Sequence, residues 1–357
     1  MFISVLELFK LGVGPSSSHT VGPMIAAGDF IKRLQNHSDC LSIHPYESQD
    51  LTLRCTLKGS LSFTGKGHAT DHAVMLGLNG RVPDQIAHLD IDQEIQRLRN
   101  NTAVHLKNGC TLNFEPSEDI IFDKEESLPQ HANGMILEVL DEQGNSLVSE
   151  TYFSIGGGFI NTKDEIQGLL APLRLISAVS HPYPFDSAAS MLQMAQENNL
   201  TIAQMKRANE LKELSEKALN RGLDKIWTAM RSCVEKGLRN TGILPGGLHV
   251  ERRAKNLYRQ LQTSKDEVPV NDWLCAYAMA VNEENAAGHA VVTAPTNGAA
   301  GVIPAVLYYW HRHQNATLEQ IRDFLLTAGA IGGLIKHRSS ISGAIFNAEK
   351  WRWFGIQ

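Results

Sequence analysis

Gly14-Pro-Ser-Ser-Ser-His-Thr-Val-Gly-Pro-Met24 is the stretch around which the chain is organised. Gly14 tolerates unusual backbone angles and Pro15 fixes its own φ. The hydroxyl run Ser16, Ser17, Ser18, His19, Thr20 then meets a helical pattern from Val21 to Leu34. A helix start offers unpaired N–H groups and positive potential, and hydroxyls add donors. These five residues are therefore candidate ligands for a small carboxylate or phosphate. The competing reading is a serine-rich turn that caps the helix.

Outward from this stretch, residues 1–160 read as an α+β domain. Leu51, Leu53, Cys55 and Leu57 alternate with polar residues as in a half-buried strand, which runs to about Phe63. His72 to Leu78 reads as a helix. Val104 to Phe114 reads as a hairpin turning at Asn108-Gly109. A second hairpin joins Met135–Leu140 to Ser146–Ile155, and the glycines at 156–158 close the region. Residues 161–185, with Pro172, Pro182 and Pro184, read as a connector. From 186 to 344 the pattern is helical almost throughout, an all-α domain. Its helices are expected at Ser187–Asn198, Ile202–Leu219, Ile226–Lys236, Lys255–Gln262, Trp273–Val281 and Leu318–Leu334. Residues 345–357 do not continue that pattern.

A hydrophobic content of 43% and charge of 20% belong to an ordinary globular protein. The net charge of −5 gives no reason to expect nucleic acid. No apolar run is long enough to span a membrane, and no signal peptide is read at the start. Five scattered cysteines, at 40, 55, 110, 233 and 275, imply reduced thiols and a cytoplasmic setting. None has the spacing of a local iron–sulfur or zinc motif.

Further candidate sites follow in chain order. Gly65-Lys-Gly-His-Ala-Thr-Asp71 puts His68, Thr70 and Asp71 near a helix start, and a histidine suits proton transfer near neutral pH. Thr70 or Asp71 can equally be a helix cap. His131 and Asn133 precede a strand, where Asn133-Gly134 also makes a good turn by itself. Gly156 and Gly157 suit either an anion cradle of backbone N–H groups or a tight turn. Thr296 and Asn297, among small residues, can hydrogen-bond a carboxylate or amine, or belong to a helix-packing motif. Lys336 can pair with a carboxylate or be a helix-end charge.

These stretches resemble, in order, the signatures of the iron–sulfur L-serine dehydratases, also called L-serine ammonia-lyases. The resemblance runs through Gly14–Met24, Thr64–Asp71, His131–Met135, Ser154–Phe159, Pro182–Asp186, Leu244–Leu248, Val281-Asn-Glu-Glu-Asn285 and Val292–Gly301, and covers residues 1–344. It implies a beta-type domain followed by an alpha-type catalytic domain, a homodimer, and conversion of L-serine to pyruvate and ammonia. His68 is then the general base. Ser16 to Thr20, Thr70, Asp71, His131, Asn133, Gly156, Gly157, Thr296, Asn297 and Lys336 then surround the substrate. A [4Fe–4S] cluster is implied as the Lewis acid on the departing hydroxyl.

The resemblance also implies cluster cysteines beginning directly after Ser340-Ile-Ser-Gly-Ala344. Here the chain reads Ile345-Phe-Asn-Ala-Glu-Lys-Trp-Arg-Trp-Phe-Gly-Ile-Gln357 instead. Back-translated and shifted by one base, Trp351 to Ile356 becomes Gly-Gly-Gly-Ser-Ala-Ser, so the expectation is a frameshift near residue 345. It leaves the catalytic domain incomplete, the family's metal ligands absent and the chain inactive. The alternative is a non-catalytic remnant that binds a small amino acid or a partner subunit. A third reading, pyridoxal phosphate on Lys66 with Gly156–Gly158 as phosphate cradle, leaves the ordered motifs unexplained.

Overall fold

The computed structural model describes residues 2–36, 51–83, 86, 91–170, 181–245, 248–294 and 296–338. The expected tail at 345–357 and Cys40 lie outside them. The chain divides into two compact units. One holds the described residues 15–170, the other 2–14 with 181–338.

The chain begins with α1 (Val5–Leu8) and β1 (Leu11–Val13), which belong to the second unit. The first unit opens with a π-helical turn, Ser17–Val21, running into α2 (Gly22–Asn36). It continues through β2 (Thr52–Gly59), α3 (Ser60–Thr64), a 3-10 turn at Gly65–His68, α4 (Thr70–Leu78) and α5 (Ile91–Arg99). Then come β3 (Ala103–His105), β4 (Thr111–Asn113), α6 (Pro116–Asp119), β5 (Ile120–Phe122), β6 (Asn133–Leu140), β7 (Ser146–Gly156), β8 (Phe159–Thr162) and α7 (Lys163–Leu170).

The sheet is mixed, in the order β3-β4-β2-β6-β7-β8, with β5 also on β2. β2 runs parallel to β4 and β5 and antiparallel to β6. Its alternation is the one expected: Leu53, Cys55 and Leu57 are buried while their neighbours are half-exposed. The Asn108-Gly109 hairpin forms, with Gly109 at φ 88° and Cys110 N–H bonded to Asn108 Oδ1. β6 and β7 form the second hairpin.

Three local expectations change. The strand does not reach Phe63: it ends at Gly59, whose φ of 56° turns the chain into α3. The next helix starts at Thr70, two residues before His72, behind Ala69 in the left-handed region. The glycine run does not end the sheet. It reverses the chain between β7 and β8, with φ of 87°, 62° and 72°. α7 then occupies part of the stretch read as a connector.

The second unit contains α8 (Ala188–Glu197), α9 (Ile202–Glu210), α10 (Glu216–Gly237), α11 (Ala254–Thr263), α12 (Val270–Ala286), β9 (Ala290–Val292), α13 (Val302–Gln314) and α14 (Leu318–Arg338). The expected Ile202–Leu219 helix is two helices, because Ser215 breaks the run and caps α10. Leu219, Leu223, Ile226, Trp227, Met230 and Val234 form the buried stripe of α10. The unit is helical except for a ribbon: β1 pairs with β9, Val13 opposite Ala290.

Residues 2–14 join this unit through a buried ion pair. Lys206 and Glu210 stand one turn apart on α9, 3.0 Å from each other. Glu210 accepts from Ser4 Oγ and Val5 N–H, both at 2.7 Å, and Lys206 donates to Ile3 O at 2.5 Å. No periodicity in the sequence reports such a long-range pairing.

Candidate active site

In the α+β unit the serine-histidine run is the π-helical turn itself. Ser16 is its N-cap and accepts from His19 N–H at 3.2 Å, so the capping reading holds for that residue. The tight turn buries Ser17, His19 and Thr20. Thr20 Oγ1 donates to His68 O at 2.8 Å, and Thr70 Oγ1 donates to His19 O at 2.6 Å. Two stretches about fifty residues apart are thereby stitched together through their side chains. The His19 and His68 rings stand 4.7 Å apart.

His68 carries a clear protonation signature. Its Nδ1 lies 2.9 Å from Thr64 O. A carbonyl only accepts, so Nδ1 bears a proton, and in the neutral ring the lone pair is on Nε2. His19 differs. Its Nδ1 meets Ser18 Oγ at 2.8 Å and its Nε2 meets Ser60 Oγ at 2.9 Å. Burial, and secondarily the nearby His68, lower its pKa to about 4, against a hydrogen bond with Ser60 that acts the other way.

A pH dependence follows. Unfolded, this imidazole takes a proton near 6.5; folded, near 4. The unfolded chain binds the extra proton between those values. The stability that neutral His19 contributes is complete above pH 6.5 and is lost as the pH falls toward 4. NMR titration is expected to find the His19 ring neutral at pH 5; a protonated ring there would contradict the buried geometry.

Near this pair, Asn133 is 1% exposed and His131 6%. Asn133 N–H donates to His131 Nδ1 at 3.0 Å, and its Nδ2 donates to Ser154 O at 3.1 Å. The Asn133 Oδ1 and Ser154 Oγ atoms are buried without a hydrogen-bond partner. Gly22 lies against that serine: a Cβ there would sit 2.0 Å from Ser154 Oγ. Orphaned polar oxygens are costly and mark places where a ligand donor fits. Asp71 makes a local contact, accepting from His72 N–H at 3.0 Å. Gly156 and Gly157 sit in the β7–β8 reversal, a conformation that needs glycine with or without a bound anion.

The other predicted residues belong to the helical unit. Thr296 is exposed. Asn297 is 2% exposed and donates through Nδ2 to Asn285 Oδ1 at 2.8 Å and Val13 O at 3.3 Å, while its Oδ1 has no partner. Lys336, on α14, has its pKa lowered by burial. The charge of Lys336 is felt at Lys10, which burial lowers to about 8, with Glu7 opposing and Lys336 adding to the shift. Lys10 is a residue that the sequence reading passed over.

The sequence reading also passed over the work done by the 281–285 motif. Glu283 accepts from Arg253 N–H at 2.6 Å and from Ala254 N–H at 3.2 Å, capping α11. Glu284, 1% exposed, gathers Arg252 at 2.6 Å, His289 at 2.7 Å and Asn240 at 2.8 Å. Asn285 holds Asn297. The cue was four adjacent polar residues, Asn282 to Asn285, directly after the apolar run Trp273–Val281.

Residues 4–165 match the family model for the serine dehydratase beta chain, and residues 197–349 match that for the alpha chain. The chain belongs to the serine dehydratase family. Similar relatives include L-serine dehydratase of Streptomyces coelicolor, 42% identical over 96% of this chain and 74% of the relative. L-serine dehydratase TdcG of Escherichia coli is 43% identical over the same shares, and the Haemophilus influenzae L-serine dehydratase is 40% identical.

Serine dehydratases imply an iron–sulfur group, so the thiols of this member decide whether one fits. Cys55 is buried on β2 and burial pushes its thiol pKa up. Cys233, on α10, is pushed up to about 12 by burial and by Glu284. Cys110 lies just before β4, and Cys275 is exposed on α12. Cluster ligands must be thiolates that converge. Among the described residues no three His, Cys, Asp or Glu side chains converge on one point. These residues do not fit the cluster. No described helix is long and apolar enough to cross a membrane.

Proposed function

We propose that this serine dehydratase binds L-serine and retains the base of the family's α,β-elimination to pyruvate and ammonia, with His68 in that role. The observation that carries this reading is the His68 Nδ1–Thr64 O bond, which leaves Nε2 as the basic atom. Loss of the Cα proton and the β-hydroxyl gives an enamine, which tautomerises to an imine and hydrolyses. The orphaned oxygens of Asn133 and Ser154 suit the serine ammonium group, and the hydroxyls of Ser16, Ser18, Thr20 and Thr70 order the histidines. His131 orients Asn133. Asp71 lies in the first turn of α4, and Gly156 and Gly157 shape the turn after Ser154. In the helical unit, the Asn297 Oδ1 offers an acceptor, with Thr296 and Lys336 assigned to polar and carboxylate groups of the same ligand class.

In the family a [4Fe–4S] cluster assists hydroxide departure as a Lewis acid. The described thiols give it no holder, so no step here runs through it. We infer that the chain on its own binds serine without turning it over. A homodimer in the cytoplasm completes the proposal by analogy with the family resemblance.

The test is iron and sulfide analysis of the chain purified without oxygen, beside a pyruvate assay and serine titration calorimetry. The expected result is serine binding, iron well below one per chain and no pyruvate. Four irons per chain with pyruvate formation would overturn the inactivity. Absence of serine binding would remove the substrate assignment.

A further inference from the structure

We propose that Ser60 is the positioning residue of the His19–His68 pair, holding together three stretches that the sequence keeps far apart. This deepens the reading of His68 as the base and rests on it for its catalytic meaning; the geometry is independent of it.

Each polar atom of Ser60 serves a different stretch. Its N–H donates to Ala132 O at 2.8 Å, between His131 and Asn133. Its Oγ meets His19 Nε2 at 2.9 Å. Its carbonyl accepts from Thr64 Oγ1 at 2.9 Å, and the Thr64 carbonyl in turn accepts from His68 Nδ1. The one-turn helix α3 is therefore the piece to which both histidines are tied.

The backbone before Ser60 makes this arrangement specific. Gly59 has φ 56°, and a Cβ there would lie 2.4 Å from Ala132 O. Only glycine allows β2 to turn there and to lie so close to the 131–133 segment. Ser60 is thus delivered to a defined place by its neighbour, and its hydroxyl reaches the buried ring of His19.

The consequence concerns the ring beside the base. His19 has a hydroxyl at each nitrogen, Ser18 on one side and Ser60 on the other. A neutral imidazole has one donor and one acceptor nitrogen, and because a hydroxyl can take either role the two serines keep both nitrogens paired and the ring in place. Without the Ser60 hydroxyl, Nε2 is left buried and unpaired, so the tautomer balance shifts and the ring orientation is no longer held. The face that His19 turns to His68, 4.7 Å away, is then no longer fixed.

The experiment uses the full chain labelled with 15N-histidine, compared as parent, Ser60→Ala and Ser60→Thr at neutral pH by long-range 1H–15N spectra. The parent gives the reference pattern of His19 ring-nitrogen shifts. In Ser60→Ala these shifts are expected to move away from that pattern, with unchanged circular dichroism; in Ser60→Thr the parent pattern returns. A purely structural serine would lower the melting temperature and leave the tautomer pattern alone. An unchanged His19 pattern in Ser60→Ala, or no recovery in Ser60→Thr, overturns the proposal. If Ser60→Ala does not fold, Ser60→Cys, a much weaker hydrogen-bonding group of similar size, is read by the same criteria. These spectra need no turnover or bound serine, so failure of the lyase reading and failure of this one are separately visible.

Discussion

Glu284→Ala is expected to destabilise the helical unit by about 3–5 kcal/mol, the range for removing one partner of a buried charge pair. Glu284 is 1% exposed and Arg252, 2.6 Å away, has a side chain 6% exposed. Alanine would leave that guanidinium buried without its carboxylate. Asn240 Nδ2 and His289 Nδ1 would lose their acceptor as well. Burial by itself would raise the carboxyl pKa. Hydrogen bonds from His289, Asn240 and Arg252 outweigh it and hold Glu284 at about 2. The unfolded chain takes up this proton near 4.5. The stability is therefore complete above about pH 4.5 and is lost as the pH falls toward 2, a contribution of about 3 kcal/mol. Urea unfolding of parent and variant at pH 7 and pH 3 measures both effects. The difference between the two proteins should shrink at pH 3. A pH-independent loss below about 1 kcal/mol would mean that the ion pair contributes little.

Gly14→Ala is the second large effect, and it acts on backbone. The added Cβ would fall 1.8 Å from Asn285 O and 2.9 Å from Asn285 Cα. No rotamer relieves such a contact, because the obstacle is the last turn of α12. Gly14 N–H also donates to His289 O at 3.0 Å, one step beyond the Val13–Ala290 pair of the ribbon. Moving Gly14 away from Asn285 therefore strains the β1–β9 ribbon. It also disturbs Asn297, whose amide bridges Val13 O and Asn285 Oδ1. Overpacking against an unyielding neighbour costs about 3 kcal/mol. That corresponds to a fall of about 6–12 °C in melting temperature for a unit of this size. Calorimetry of the full chain measures it. A change under 2 °C would show that the close approach is easily relaxed.

The two substitutions share a reason for being large: each removes a fit between segments more than two hundred, or about thirty, residues apart. Local order was readable in the chain. The β2 alternation at Leu53, Cys55 and Leu57 appears as expected, and so do the Asn108-Gly109 turn and the apolar stripe of α10. Each follows from period or from glycine's backbone freedom, which are properties of neighbouring residues. Ser215 splitting a long helical pattern was legible too, since a serine before a glutamate is an N-cap signal; it was hidden by the strong periodicity on either side.

The sequence by itself determined the family, through ordered motifs, and the residue types from which a site is built: the serine run, His19, His68, Asn133 and Asn297. Only the tertiary structure decided which of these meet and in what state. His68 needs the Thr64 carbonyl to set its proton on Nδ1, and His19 needs burial to stay neutral and Ser60 to pair its Nε2. Ser60, Gly59 and Lys10 had no local signal, because an unremarkable serine, glycine or lysine acquires its role only from what is folded against it. Likewise the first fourteen residues join the helical unit through Glu210 and the β9 ribbon, contacts that lie across more than two hundred residues of chain. Hydrogen bonds and desolvation depend on distance in space, and a one-dimensional pattern carries that information only where neighbours in the chain are also neighbours in the fold.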